Sequence, residues 1–253
     1  MLKYLCGSSF FVIALYLNGL SQVIIESYFK DHINRDALFD IGFATLPLIR
    51  DSTLADYFTA FVLVLGVVPN LVFHGDMALI VKRLLLCQGS FYLVRAFAII
   101  STILPNPEKT CTPSPIAGTD AEIIPFEALK VIAGQRITCG DVLFSGHAGA
   151  ITVAALAFQE YSDGFIHDKL VRLALVMSLW VIACIGYLVI IATRFHYTID
   201  VCVAIFVTVT IFKIYHYSTK LKRFRLLEWY EESGSHNKNV ELIEEAFMTR
   251  DKV

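Results

Sequence analysis

The run VRLALVMSLWVIACIGYLVIIAT fills residues 171–193, and Arg194-Phe195-His196-Tyr197-Thr198-Ile199-Asp200-Val201 follows it directly. A helix that crosses a bilayer needs about 20 mostly apolar residues, and residues 171–193 meet that need. Histidine and aspartate at the edge of a bilayer are costly unless they face a cavity or a partner, so they mark a site. This one stretch points both to a bundle of membrane-spanning helices and to where its chemistry lies.

Five further apolar stretches lie at 5–25, 57–73, 84–104, 143–158 and 199–215. The second, fourth and sixth of the six stretches are short, so their ends are the least defined. The expected fold is all-α: a polytopic membrane protein with six transmembrane helices over residues 1–218, then a cytosolic tail at 219–253. Composition agrees. The 253 residues are 56% hydrophobic, with a mean hydropathy of +0.63, more apolar than a soluble domain of this length requires. The formal net charge of −2 and the lack of a long basic run argue against nucleic acid as a partner. The first stretch exceeds a signal-peptide core and no small-residue cleavage pattern follows, so a retained first helix is expected.

Basic residues in short flanks set orientation. With a cytosolic N-terminus, Lys82, Arg83, Lys169, Arg172, Lys213, Lys220, Lys222, Arg223 and Arg225 flank cytosolic ends. Lys30, Arg35, Arg50, Lys109, Lys130 and Arg136 are spread over the longer opposite loops. Six spans in this orientation place the island at 194–201 on the lumenal or extracellular side, together with a second island, Cys139-Gly140-Asp141-Val142-Leu143-Phe144-Ser145-Gly146-His147. Golgi and plasma membrane both fit this topology.

The loop near 28–56 carries Asp31, Asp36, Asp40, Asp51 and Asp56, which a solvated loop or the mouth of a site explains. The connection 105–141 is the longest. Pro105, Pro107, Pro113 and Pro115 give it a loop signature, and 127–134 has the pattern of a short helix at the membrane interface. Cys111 and Cys139 both lie in it. Facing an oxidising lumen they can pair, restraining the segment beside His147 by roughly 3–4 kcal/mol. Cys6, Cys87, Cys184 and Cys202 lie in spans and are expected to be packed thiols; the six cysteines have no zinc-site spacing. Past 215 the chain turns basic, suited to anionic lipid, then acidic, with the pattern of a short amphipathic helix at 240–247 or a partly disordered tail.

Ser145 suits a helix cap, and Gly146 permits close approach of backbone or ligand. The helix N-terminus behind them offers N–H groups to a phosphate, with His147 in the first turn. His196 and Asp200 are four residues apart and share a face if both are helical. Asp200 then orients the imidazole and makes its other nitrogen the better nucleophile. Arg95, inside the third span, and Arg194 are the candidate phosphate clamps; a buried ion pair is the competing role for Arg95. Asp141 can orient a histidine, bind a cationic headgroup or act as a loop cap. No metal ligand set or cofactor motif is visible.

The strings Cys139-Gly140-Asp141-x-x-Phe144-Ser145-Gly146-His147 and His196-Tyr197-Thr198-Ile199-Asp200-Val201 resemble the two signature blocks of the sphingomyelin synthase family. Arg95 with Thr102-Ile103-Leu104-Pro105 is similar to a weaker third block. The resemblance covers the membrane part of the chain and implies a ceramide phosphotransferase. In it, His196, oriented by Asp200, attacks the phosphorus of a phospholipid such as phosphatidylcholine, and His147 protonates the departing diacylglycerol. Ceramide's primary hydroxyl then takes the headgroup while His147 accepts its proton. The partners implied are membrane lipids, the donor and ceramide; a homo-oligomer is compatible. Ceramide phosphoethanolamine or inositol phosphorylceramide are alternative products.

The competing class is the lipid phosphate phosphatases of the same superfamily. Those carry a Lys-x6-Arg-Pro block and an arginine six residues before the nucleophilic histidine. This chain has no Arg-Pro dipeptide, and Arg194 stands two residues before His196. A non-catalytic membrane protein is the third reading, disfavoured by the presence of His147, His196 and Asp200 together.

Overall fold

The computed structural model describes residues 2–108, 111, 123–221 and 224–231. The elements are α1 (Leu2–Tyr28), α2 (Lys30–Ile33), α3 (Ile41–Thr45), α4 (Thr53–Phe73), α5 (Met77–Ser101), α6 (Ile124–Ile132), α7 (Gly146–Tyr161), α8 (Lys169–Ala192), α9 (Thr198–Lys220) and α10 (Arg225–Glu231). No strand occurs among the described residues, and the chain is an all-α polytopic membrane protein. It divides into two compact units, Met1–Phe212 and Lys213–Val253, with the division inside α9. In the second unit the Tyr215 hydroxyl and the Glu231 carboxylate are hydrogen-bonded. Lys222, Arg223 and the segment 240–247 lie outside the described residues.

Five helices are long and apolar enough to cross a bilayer: α1, α4, α5, α8 and α9. The fourth expected span is α7, whose 16 residues reach only about 24 Å. Its environment explains its weak signal. Ile151, Thr152, Ala154, Ala155 and Ala157 are all buried, so α7 faces neighbouring helices on nearly every side. Small residues let those neighbours close in. A Cβ at Gly66 of α4 would stand 2.5 Å from the Ala154 carbonyl oxygen, and one at Gly149 would stand 2.2 Å from the Phe91 ring. Around α7 pack α4 and α8, while α1 pairs with α5 and carries α6 on its upper end. The lipid-facing surfaces keep large apolar side chains exposed, such as Val12, Phe97 and Leu173.

Helix ends follow local rules. Asp76 and Asp168 accept N–H bonds as caps of α5 and α8. α6 ends with Gly134 at φ 68°, while Gly134 N–H donates to Val131 O and Gln135 N–H to Lys130 O. That is a Schellman turn, which glycine enters without Cβ cost.

One expectation changes. Of the four free thiols only Cys87 is buried; Cys6, Cys184 and Cys202 sit on outward helix faces. Lys82, expected to flank a cytosolic end, is 1% exposed.

The loops at one end of the bundle are stitched together. Arg136 pairs with Glu127 (2.8 Å) and Glu26 (3.2 Å), all three buried. The Cys139 N–H also donates to Glu26, and Asn106 Nδ2 reaches the Cys139 carbonyl at 2.7 Å. A disulfide joins Cys111 to Cys139, with Cα atoms 5.9 Å apart. Opening its 28-residue separation by Cys111→Ser, Cys139→Ser or both is expected to lower unfolding free energy by roughly 3 kcal/mol. The double variant should be no worse than either single one in thermal melts in detergent; a clearly additive loss would mean the thiols stabilise separately.

Candidate active site

The two polar islands meet at one end of the bundle. Ser145 caps α7: its Oγ accepts from Ala148 N–H at 3.1 Å, and its own N–H reaches the Asp200 carbonyl at 3.3 Å. His147 therefore stands in the first turn of α7. Among the described residues the N–H groups of Gly146 and His147 take no partner, as expected for the orphan donors of a helix start. The His147 and His196 rings lie 6.2 Å apart between centroids. The Phe195 ring packs edge-on to His147 at 4.9 Å.

The turn that delivers His196 is a second Schellman motif. Arg194 N–H donates to Ile191 O and Phe195 N–H to Ile190 O, with Arg194 in the left-handed region at φ 58°. A Cβ-bearing residue there is disfavoured, and the Arg194 side chain supplies the compensation. Its Nη2 donates to the carbonyls of Phe43 (2.6 Å) and Leu46 (3.1 Å), and its guanidinium lies 4.6 Å from the Phe43 ring centroid. The expected phosphate clamp is thus committed to anchoring α3.

The expected bond between His196 and Asp200 is also absent. α9 begins at Thr198, so His196 precedes the helix and the i, i+4 relation does not apply. The His196 Nδ1 lies 2.8 Å from the Val142 carbonyl, which only accepts. Nδ1 therefore carries the proton, and Nε2 holds the lone pair. Asp200 turns back to cap its own helix: Oδ2 accepts from Tyr197 N–H at 3.0 Å. Its Oδ1 is buried with no hydrogen-bond partner. His196 is 1% exposed. Burial, with His147 alongside, holds its pKa well below the ordinary histidine value, so the ring is neutral.

Arg95, 3% exposed, ties α1 to the loop before α7 through three contacts. Nε donates to Phe144 O (2.6 Å) and Nη1 to Asn18 Oδ1 (3.1 Å), while Nη2 pairs with Asp141. A cavity of about 350 Å³ opens beside this group, lined by Arg95, Asp141, Gly146 and His147 among others. His196 is not part of that lining; its ring adjoins that of His147. No group of three or more His, Cys, Asp or Glu side chains among the described residues is placed to hold a metal ion.

Two aspartates expected in the first loop reach the site, and one of them, Asp56, stands in the first turn of α4. His147 Nε2 is 2.7 Å from Asp56 Oδ1, a contact across 91 positions that no local pattern signals. Asp40 accepts from the Thr198 N–H (2.9 Å) and hydroxyl (2.6 Å), and from Phe43 N–H. Burial alone would raise the Asp40 pKa; these hydrogen bonds outweigh it and hold the carboxyl below its usual range. Tyr197 joins the same layer, its hydroxyl donating to Pro105 O and accepting from Leu38 N–H.

Residues 138–217 match the PAP2 superfamily C-terminal family, a span that contains His147, His196 and Asp200. The chain is 30% identical over 217 residues to a putative phosphatidylcholine:ceramide cholinephosphotransferase 3 of Caenorhabditis elegans, covering 80% of this chain and 60% of that one. The chain is thus similar, over most of its length, to a protein named as a ceramide cholinephosphotransferase of the sphingomyelin synthase type. Similarity extends to the human phosphatidylcholine:ceramide cholinephosphotransferase 1, 28% identical over 66% of this chain and 43% of that protein. A phosphatidylethanolamine:ceramide ethanolaminephosphotransferase of Trypanosoma brucei brucei is 30% identical over 62% of this chain and 48% of its own length. This chain thus spans between two-fifths and three-fifths of the length of these curated relatives.

Two outcomes check the site's construction. Arg194→Gly relieves the left-handed strain that Arg194→Ala keeps, while both lose the α3 anchor. Thermal melts should find the glycine variant more stable by about 1 kcal/mol. Acid should also weaken the fold through His196. Below about pH 6.5 an unfolded histidine binds a proton that native His196 refuses, so stability falls as pH drops through that value. His196→Gln should flatten that part of the stability–pH curve, and an unchanged slope would place the titration elsewhere.

Proposed function

We propose that this protein transfers a phosphorylated headgroup from a phospholipid to the primary hydroxyl of ceramide, releasing diacylglycerol. The carrying observation is the pair of histidines in unlike settings. His196 is buried and neutral, with Nδ1 committed to Val142 O and Nε2 bearing the lone pair. His147 faces the cavity and a carboxylate.

In the first half-reaction His196 Nε2 attacks phosphorus, the bond to the diacylglycerol oxygen breaks, and His147 protonates that oxygen. The unpartnered N–H groups at the start of α7, with the Arg95 charge nearby, stabilise the phosphoryl oxygens. In the second, His147 removes the proton from ceramide's primary hydroxyl, the hydroxyl oxygen attacks phosphorus, and the P–N bond breaks to free His196. Burial of His196 supports transfer over hydrolysis by keeping water from the P–N bond. Asp56, in contact with His147, is assigned to positioning it, and Asp200 to building the turn that presents His196. Asp141, Ser145 and Gly146 shape the headgroup end.

Phosphatidylcholine is the proposed donor, giving sphingomyelin; phosphatidylethanolamine is the alternative, since relatives named for each headgroup are similar to this chain. Six spans over residues 1–218, with α7 as the short one, complete the proposal. The site then faces the lumen or cell exterior in Golgi or plasma membrane, and the tail is cytosolic. Flanking basic residues support this orientation, and so does a disulfide beside the site, which favours an oxidising compartment.

The deciding experiment supplies fluorescent ceramide with phosphatidylcholine, phosphatidylethanolamine or phosphatidylinositol to purified protein in liposomes. One phosphosphingolipid matching one donor is expected. Phosphate release from phosphatidic acid without transfer would replace this reading with a phosphatase. His196→Ala should abolish transfer, and His147→Ala should reduce kcat by about 10²–10⁴-fold. Asp56→Asn should lower kcat by about tenfold with KM unchanged, partly restored in Asp56→Glu. Retained turnover in His196→Ala would sink the nucleophile assignment.

A further inference from the structure

The upper half of α1 carries buried polar residues at Asn18, Ser21, Gln22 and Glu26, a costly choice for a helix read as crossing a bilayer. Two of them have settled partners. Ser21 Oγ donates to Asn18 O, and Glu26 serves Arg136 and the Cys139 N–H. The two carboxamides differ. Asn18 Oδ1 accepts from Arg95 and Gln22 Oε1 accepts from Thr138 Oγ1 (2.9 Å), while each NH2 group has no partner among the described residues. Arginine only donates, so the Asn18 amide cannot be turned around: its Nδ2 is the end left over. Asn18 and Gln22 are 5% and 4% exposed, and both line the cavity that also holds His147. Being four residues apart, they share one face of α1.

Neither amide nitrogen is sealed inside the protein, so each is open to donate into the cavity. Two such donors side by side on one cavity wall suit a ligand that brings acceptor oxygens. The remaining lining narrows the class. Leu15, Val131, Ile132 and Ala150 make the cavity apolar beside its polar end. A volume of about 350 Å³ holds the linkage region of a lipid rather than a whole lipid.

We propose that Asn18 and Gln22 form the recognition site for the amide linkage of the acceptor sphingolipid, donating to its carbonyl oxygen and neighbouring hydroxyl. This rests on the transferase reading above. In ceramide the reacting hydroxyl and the amide sit on adjacent carbons, so a hydroxyl held at His147 brings its amide to the same cavity. The selectivity follows: a diacylglycerol, which has a primary hydroxyl beside an ester, presents a weaker acceptor oxygen there and is a poor acceptor.

Asn18→Asp and Gln22→Glu test this directly, because each keeps the oxygen that Arg95 or Thr138 uses and deletes only the donor. Both are expected to raise KM for ceramide by about tenfold and leave KM for the phospholipid donor within about twofold. Gln22→Met, which adds no charge, carries the same expectation if an acidic variant fails to fold. A rise in donor KM alone would assign the site to the donor's ester carbonyl, and no change in either would remove the lipid linkage from this cavity; both overturn the proposal. A photoactivatable ceramide in liposomes separates this inference from the reaction itself. Labelling of α1 that ceramide competes, diacylglycerol does not, and Asn18→Asp weakens supports the subsite even if no headgroup is transferred. Product formation with α1 unlabelled refutes the subsite and leaves the transferase reading standing.

Discussion

Arg95 is a full charge inside a bundle with little water to solvate it, and much of the site follows from how that charge is satisfied. A buried guanidinium needs acceptors on every side. Three acceptors meet it: Asn18 of α1, the Phe144 carbonyl, and the Asp141 carboxylate. The last two belong to the loop that leads into α7. Drawing that loop onto α5 places the cap Ser145 and hence the first turn with His147. The Val142 carbonyl in the same loop then accepts from His196. One desolvated cation therefore sets the position of one histidine and, through its neighbours in the loop, the tautomer of the other.

The same reasoning explains which features the sequence announced. Spans were legible because apolar length is a local property, and α1, α4, α5, α8 and α9 declare themselves. α7 declares itself weakly because it is surrounded by protein: alanines and glycines that permit close packing do not produce a strong hydropathy signal. His147, Ser145 and the cap were legible because capping is local. Roles that depend on partners distant in sequence were not. Spacing suggested that Asp200 serves His196, but the helix starts two residues after that histidine, and the ring bonds to a carbonyl 54 positions away. Asp56 looked like one of five loop carboxylates until the fold set it against His147.

Arg194 illustrates how a charged residue in a polar island acquires a structural duty. α6 and α8 end in the same Schellman turn, yet one uses Gly134 and the other Arg194 at the left-handed position. Glycine suffices where the turn lies open, since nothing stands within 4 Å of a Cβ at Gly134. At the end of α8 the turn must also hold α3, and only a long donor reaches the carbonyls of Phe43 and Leu46. The backbone cost of arginine there is offset by two hydrogen bonds and a stacked ring. Asp40 completes the attachment from the other direction through Thr198. The first loop is therefore part of the site's frame, although its sequence reads as a solvated connection.

The two histidines gain distinct characters from where these constraints leave them. His196 is buried next to His147, where desolvation disfavours its charged form and a carbonyl holds one nitrogen. His147 is partly exposed, with its Nε2 in contact with the Asp56 carboxylate. Two groups of one type, separated by burial, provide the pairing of a neutral nucleophile with a proton carrier that phosphoryl transfer requires. A single histidine cannot do both in one step, because the nitrogen that attacks phosphorus must be unprotonated while the group that assists the leaving oxygen must hold a proton. The difference in depth between the ends of two neighbouring helices, rather than any special residue, meets both demands.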